Sequence, residues 1–215
     1  MINTKCDNLH TFNLKQDIAH STLPVIIYLH GFNSSRYSEK ATLTQGYFKD
    51  NNIQVHCVIP QLCNTPKAAL EQITELINRH QDNLIGFIGS SLGGYLATYF
   101  VEKIKKPLKA VLINPAVDPY NLFPQFLGEQ VNLYTEERYV LAPHHVNELH
   151  EMNTPTINFP KQYWLLQQTE DEVLNYQLAV EKYKYARQTV EVGGNHAFIG
   201  YERFLPDIVK FFELA

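Results

Sequence analysis

The chain reads Leu84-Ile85-Gly86-Phe87-Ile88-Gly89-Ser90-Ser91-Leu92-Gly93-Gly94-Tyr95-Leu96-Ala97 at positions 84–97. A short apolar run leads into Gly89-x-Ser91-x-Gly93 and then into a segment compatible with a helix. This pattern is typical of a nucleophile elbow, a sharp strand-to-helix turn with a serine at its apex. The turn forces the serine to a positive φ, and glycines avoid collisions two residues before and after it. The segment therefore predicts a strand, an exposed nucleophilic Ser91 and a helix.

The sequence around this segment predicts an α/β fold. Gly-x-Ser-x-Gly occurs by chance and Gly-Ser-Ser often marks only a loop, so the pentapeptide alone is weak evidence. Apolar and β-branched runs alternate with segments of helical pattern, which indicates a doubly wound, mostly parallel sheet covered by helices on both faces. The predicted strands are Val25–Leu29, Gln54–Ile59, Leu84–Ile88, Leu108–Ile113, Gln162–Gln167 and Gln188–Val192, and the predicted helices are Glu39–Lys49, Pro66–His80, Leu92 to about Lys105, Glu172–Tyr185 and a C-terminal amphipathic helix that carries Phe204, Ile208, Phe211 and Phe212.

Two further polar residues lie in loops directly after predicted strands, where the acid and the base that a catalytic serine needs are expected. Parallel sheets bind ligands at the carboxyl ends of their strands, and Asp171 and His196 each lie in the loop after a predicted strand. The order Ser91, Asp171, His196 is that of the α/β-hydrolase triad, with nucleophile, acid and base. A charged loop or a histidine after Gly-Gly-Asn is often only solvated. Asp118, after the strand that ends at Ile113, is the alternative acid.

The same geometry predicts the remaining parts of an acyl-transfer site. The backbone N–H groups of Leu92 and Phe32 are expected to form the oxyanion hole, and His30 is interpreted as a structural residue of the Phe32 loop. His196 would accept the Ser91 proton during attack on an ester, and an acyl-enzyme would then be hydrolysed. This chemistry needs no metal and no organic cofactor. His144, His145 and His150 lack a ligand spacing and are interpreted as solvated.

Composition limits the class of protein. The chain has 215 residues, 45% of them hydrophobic and 19% charged, and this size and balance predict one globular domain, residues 1–215. A net charge of −4 argues against nucleic acid as the main partner. There is no apolar run of about 18 residues and no signal-peptide core, so a cytoplasmic protein without membrane contact is expected. Thr11–Leu14 is compatible with a short edge strand.

A long connection separates two of the predicted strands. The segment from Ala116 to Thr156 must have structure of its own, because ordered connections of this length are uncommon. Its aromatic residues suit a small cap over an acyl pocket, although they could equally serve only to pack the cap on the sheet. The candidate pocket residues are Asn33, Tyr120 and Phe123.

Several motifs carry a resemblance to a known family. They are Tyr28-Leu29-His30-Gly31-Phe32-Asn33-Ser34-Ser35, Gly89-Ser90-Ser91-Leu92-Gly93-Gly94-Tyr95, Ile113-Asn114-Pro115-Ala116-Val117, Glu137-Arg138-Tyr139-Val140-Leu141 and Gly193-Gly194-Asn195-His196-Ala197-Phe198. As a set they resemble the YqiA/YcfP-type small bacterial esterases of the α/β-hydrolase superfamily. The resemblance implies a nucleophile at Ser91, an acid at Asp171 and a base at His196. Glu170, where the family tends to have glycine, and the additional residues 1–24 depart from the pattern.

The sequence thus predicts a serine esterase that acts on small carboxylic esters or thioesters. Two alternatives use the same fold. A non-catalytic ligand-binding protein would be expected to have a defective triad, whereas all three members are present. An acyltransferase would use the same residues, so the sequence does not separate it from a hydrolase.

Overall fold

A parallel sheet of six strands forms the centre of the computed structural model, which describes residues 22–214. The strand order is β2-β1-β3-β4-β7-β8, and every neighbouring pair is parallel. This arrangement confirms the predicted α/β fold. The strands are β1 Val25–Leu29, β2 His56–Val58, β3 Leu84–Ser90, β4 Lys109–Ile113, β5 Gly128–Val131, β6 Arg138–Leu141, β7 Tyr163–Gln168 and β8 Arg187–Glu191, and β5 and β6 form a separate antiparallel hairpin.

Helices cover both faces of the sheet because its inner strands are apolar on both sides. All five residues of β1 are buried, so neither face of that strand contacts water. One core packs beneath α2, α3 and α6, and the other packs beneath α1 and α7. The helices are α1 Glu39–Asp50, α2 Pro66–Arg79, α3 Leu92–Lys103, α4 Pro119–Leu122, α5 Pro143–Glu151, α6 Tyr176–Lys182 and α7 Leu205–Phe211, with short 3₁₀ turns at Phe123–Phe126, Pro160–Gln162 and Tyr201–Phe204.

Most predicted elements differ from the structure by one or two residues at an end, but two are only about half as long as predicted. Strand β2 is shorter than predicted, and it lies at the edge of the sheet, where only β1 pairs with it. Helix α6 begins at Tyr176 rather than at Glu172. The reason is local, since the Asp171 carboxylate accepts the backbone N–H groups of Val173 (2.9 Å) and Leu174 (2.8 Å) and holds this segment as a loop.

The long connection between β4 and β7 has its own secondary structure. It contains α4, the 3₁₀ turn at Phe123–Phe126, the β5–β6 hairpin and α5. Its interpretation as a cap within a single domain stays a prediction. The edge strand predicted at Thr11–Leu14 lies outside the described residues. Within residues 22–214, every helix is too short or too polar to cross a lipid bilayer.

Candidate active site

Ser91 lies at the apex of the turn between β3 and α3. Its φ of 54° and ψ of −122° fall in a region that residues with a side chain rarely adopt. A Cβ at Gly89 would lie 2.5 Å from the Gly93 carbonyl oxygen, and one at Gly93 would collide with the Leu29 carbonyl. The two glycines are therefore required for steric reasons, because the turn packs tightly against β1 and against itself. Strain of this kind costs about 1–3 kcal/mol and is concentrated at functional sites.

In the predicted triad, His196 lies within hydrogen-bond distance of both Ser91 and Asp171. Ser91 Oγ is 3.1 Å from His196 Nε2. On the other side of the ring, His196 Nδ1 is 2.9 Å from Asp171 Oδ1 and 2.8 Å from Oδ2. A proton on Nδ1 satisfies the carboxylate and leaves the Nε2 lone pair for the serine hydroxyl. The side chain of Asp171 is 0% exposed and that of His196 is 23% exposed, so the ring alone reaches solvent.

The acid and the base are held by their own loops. The Asp171 carboxylate also accepts the N–H groups of Val173 and Leu174, which fixes its orientation toward the ring. Glu172 turns away from Asp171 and accepts the backbone N–H of His196 at 2.9 Å. This hydrogen bond lowers the pKa of the exposed Glu172 carboxyl. Asp118, the alternative acid, accepts the side-chain N–H of Asn121 at 2.8 Å, at the start of α4.

The loop after β1 lies directly beside Ser91. A Cβ at Gly31 would be 3.2 Å from Ser91 Cβ and 3.6 Å from Ser91 Oγ, which places this backbone against the nucleophile. Among residues 22–214, the N–H groups of Phe32 and Leu92 have no hydrogen-bond acceptor, so both remain available as donors. Of the two predicted oxyanion donors, Leu92 directly follows Ser91 in the chain, and Phe32 follows Gly31, whose backbone lies against Ser91.

His30 fixes the position of this loop. Its Nδ1–H donates to the Gly31 carbonyl at 2.9 Å, and its Nε2 accepts the Leu62 N–H at 3.0 Å. Both ring nitrogens are thus engaged in the neutral tautomer. Burial lowers the pKa of His30 to about 4. His30 is therefore a neutral, buried residue that holds the Phe32 loop in place.

A small apolar cavity borders the loop after β1. Its volume is about 20 Å³, and Phe32, Asn33 and Phe123 lie in its wall with Leu92, Leu96 and Leu149. Tyr120 lies elsewhere, since its ring packs against His150 (centroids 4.8 Å apart) and borders a second, more open cavity of about 460 Å³ beside α6. The structure therefore brings two of the three candidate pocket residues together and separates the third, because α4 directs Tyr120 toward α5 and α6.

Three residues near the site were not singled out from the sequence. Asn114 donates to the carbonyl oxygens of Asn195 (2.8 Å) and His196 (3.2 Å). Gln168 accepts the N–H groups of Asn195 (3.2 Å) and Ile199 (2.9 Å) through its side chain. The ammonium of Lys40 donates to the Ala197 carbonyl at 2.7 Å, and burial lowers its pKa. The only sequence signal for Asn114 and Gln168 is a polar residue at the end of a buried strand.

Contrary to the expectation from the sequence, one group of side chains within residues 22–214 has the spacing of metal ligands, and His145 in this group is buried rather than solvated. The ligand atoms of His144, His145 and Glu148 on α5 lie within 4.8 Å of one another. However, His145 Nδ1 accepts the Ala142 N–H at 3.0 Å, which places the ring proton on Nε2 and removes the lone pair that a metal would need. Glu148 also accepts the Lys67 N–H at 3.1 Å. We assign no metal to this group.

Comparisons with known proteins give a family and a fold. The sequence model of UPF0227, described as an uncharacterised protein family, matches residues 25–213. Est1E from Butyrivibrio proteoclasticus superimposes with a TM-score of 0.68 at 16% identity over 89% of this chain and 87% of that one. Alpha/beta hydrolase domain-containing protein 10 from mouse superimposes with a TM-score of 0.65 at 16% identity, over 87% of this chain and 88% of that one. The esterase domain of a Rhodothermus marinus protein superimposes with a TM-score of 0.62 at 15% identity, over 89% of this chain and 86% of that one.

At these identities the similarity establishes the fold alone. The order of strands, the elbow after β3 and the long connection after β4 therefore belong to an α/β-hydrolase fold. The chemistry of this chain has to be argued from its own residues.

Proposed function

We propose, starting from the fact that this chain belongs to the UPF0227 family, that it is a serine esterase with Ser91, His196 and Asp171 as its catalytic residues. One observation carries the proposal, namely the continuous hydrogen-bonded path from Ser91 Oγ through the His196 ring to the buried Asp171 carboxylate. The three residues come from loops at the carboxyl ends of β3, β8 and β7, which are far apart in the chain. A short sequence motif therefore cannot account for their alignment. The esterases with the same fold support the reaction class.

The geometry accounts for each step of ester hydrolysis. His196 Nε2 accepts the Ser91 proton as Oγ attacks the ester carbonyl, and the Asp171 carboxylate stabilises the imidazolium that forms. The N–H groups of Phe32 and Leu92 donate to the oxyanion of the tetrahedral intermediate. The protonated His196 then gives its proton to the leaving alcohol. Water, activated by His196 in the same way, attacks the acyl-enzyme and releases the acid.

The substrate is a small ester or thioester. The cavity next to the oxyanion loop is walled mainly by apolar side chains and has room for a group of one or two carbon atoms. It fits the acyl side of the bond, because it adjoins the backbone that would bind the carbonyl oxygen. The location of the protein in the cytoplasm, and the absence of nucleic acid and membrane from its partners, rest on the sequence alone and stay predictions.

Two other functions use the same architecture. A ligand-binding protein without catalysis would leave the strained Ser91 backbone and the aligned His196 without a purpose, so the geometry favours an enzyme. An acyltransferase would transfer the acyl group from Ser91 to an alcohol other than water. Product analysis with and without added alcohol distinguishes it from a hydrolase.

Substitution of the nucleophile tests the proposal. Ser91→Ala should lower kcat for p-nitrophenyl acetate by several orders of magnitude, roughly 10⁴-fold or more, because no other group in the site can form the acyl-enzyme. The adjacent Ser90, at the end of β3, provides a matched control, and Ser90→Ala should retain most of the activity. Circular dichroism and thermal unfolding show whether both variants fold. An active Ser91→Ala protein would refute the assignment.

A further inference from the structure

Asn114, the first residue after β4, is fully buried and contacts both the loop of the base and the end of the strand that precedes the acid. Its carboxamide Nδ2 donates to the carbonyl oxygens of Asn195 (2.8 Å) and His196 (3.2 Å). Its Oδ1 accepts the side-chain N–H of Gln167 (3.0 Å) and the backbone N–H of Gln168 (2.9 Å), at the end of β7. One side chain therefore ties the His196 loop to the strand that leads to Asp171.

The backbone beside Asn114 contacts the nucleophile. The N–H of Ser91 donates to the carbonyl of Ile113 at 3.0 Å, and the N–H of Ala116 donates to the carbonyl of Ser91 at 3.0 Å. The N–H of Asn114 itself donates to the Leu166 carbonyl at 2.9 Å, in β7. The residues on both sides of Asn114 thus hold the elbow, while its side chain holds the His196 loop and the end of β7.

We propose that Asn114 is a positioning residue, whose carboxamide sets the His196 ring at the distance from Ser91 and Asp171 that proton transfer requires. The inference rests on the proposed function for its kinetic consequence, but the hydrogen bonds stand without it. Asparagine suits this place for two physical reasons. Its φ of 40° is left-handed, a conformation that asparagine tolerates better than most residues, and a carboxamide donates and accepts at once.

A purely structural role would produce a different result. Any buried, hydrogen-bonded asparagine lowers stability when it is removed. A positioning residue must also change the geometry of the His196 ring in the folded protein, and therefore kcat rather than KM. A misplacement of the base by about 1 Å reduces the rate by about 100-fold.

The Asn114→Asp variant separates the two roles. Aspartate keeps the shape and the acceptor for Gln167 and Gln168, but in its ionised form it cannot donate to the carbonyls of Asn195 and His196 and it repels them, so kcat is measured above about pH 8. We expect kcat for p-nitrophenyl acetate to fall by about 10- to 100-fold while KM changes by less than about threefold. Thr44→Val is the control, because it removes a buried hydrogen bond to Tyr201 on the opposite face of the sheet and should lower Tm without lowering kcat.

A measurement that needs no substrate distinguishes failure of this inference from failure of the proposed esterase activity. The His196 Nδ1 proton, held by Asp171, should give a downfield resonance in the ¹H NMR spectrum of the wild-type and Ser91→Ala proteins. Asn114→Asp should weaken or remove this resonance. If the wild type hydrolyses no ester, the esterase proposal fails, and the resonance alone then decides the role of Asn114.

Two outcomes would overturn the inference. One is a folded Asn114→Asp protein with a lower Tm but wild-type kcat, and the other is an unchanged His196 resonance in that variant. If Asn114→Asp does not fold, Gln167→Met takes its place, because it removes the side-chain donor to Asn114 Oδ1, together with its hydrogen bond to the Gln168 carbonyl, and leaves the Gln168 N–H on Asn114. A severalfold loss of kcat in Gln167→Met supports the positioning role, and wild-type kcat overturns it.

Discussion

Among the three proposed catalytic residues, only the acid has a second candidate, Asp118, which also follows a strand. Asp171 Oδ1 and Oδ2 both lie within 2.9 Å of His196 Nδ1, whereas Asp118 is hydrogen-bonded to Asn121. Asp171→Asn should lower kcat by roughly 10³- to 10⁴-fold, because an amide in this place favours the wrong tautomer of the ring. Asp118→Asn, the matched control, should cost less than about tenfold. A large loss in Asp118→Asn together with a mild one in Asp171→Asn would reassign the acid.

His30 links the stability of the protein to pH. Its pKa is about 4 in the folded protein and near 6.5 in an unfolded chain, so the unfolded state binds the proton more readily. The stability that the neutral ring contributes is fully present above about pH 6.5 and is lost as the pH falls toward 4, by about 3 kcal/mol in total.

This linkage can be measured by urea unfolding at several pH values. Between pH 7 and pH 4, the free energy of unfolding should decrease less in His30→Gln than in the wild type, by up to about 3 kcal/mol. Equal pH dependence in the two proteins would show that His30 is not held as a neutral group.

At the scale of secondary structure, the sequence predicts best where strands are buried on both faces. Strand β1 has the predicted bounds, because its apolar run is continuous. Helix α2 differs from its prediction by one residue, because its apolar residues recur at helical spacing. The β5–β6 hairpin was not predicted. Its strands have no regular alternation of apolar and polar residues. The hairpin is held instead by residues distant in sequence, since the Tyr139 hydroxyl donates to Asn33 at 2.6 Å and the Asn132 side chain donates to the Ser34 carbonyl at 3.1 Å.

The packing of the β4–β7 connection against the loop that contains Phe32 should set the length of the acyl chain that the enzyme prefers. The side chains of Leu96 on α3 and Leu149 on α5 close a cavity of about 20 Å³. We expect kcat/KM to be highest for p-nitrophenyl acetate or propionate and to fall with longer chains. Leu96→Ala should shift the preference toward butyrate or hexanoate, because it extends the cavity.

The control for this shift is Leu112→Ala. It makes the same substitution in the same core but away from the cavity, so it should destabilise the protein, by about 2–5 kcal/mol, without changing the order of substrates. A wild type that prefers octanoate, or equal shifts in the two variants, would show that this cavity does not hold the acyl group.

At the scale of the whole molecule, chain order and topology made the triad predictable. Parallel strands end at one edge of the sheet, so Ser91, Asp171 and His196 could be placed together from the loops that they occupy. Asn114 could not be identified in the same way, because Asn-Pro after a strand also indicates an ordinary turn. Its role depends on which loops lie across the sheet from it, and only the assembled strand order β3-β4-β7-β8 reveals that.

The central claim is that the fold activates one serine. A fluorophosphonate probe reacts covalently with an activated serine hydroxyl and does not depend on the identity of the natural ester, so labelling followed by peptide mapping tests the claim most directly. The account predicts labelling of the wild-type protein at Ser91, no labelling of Ser91→Ala, and slow labelling of Asp171→Asn. The absence of label on the folded wild type, or its attachment to Ser90 or any other residue, would contradict it.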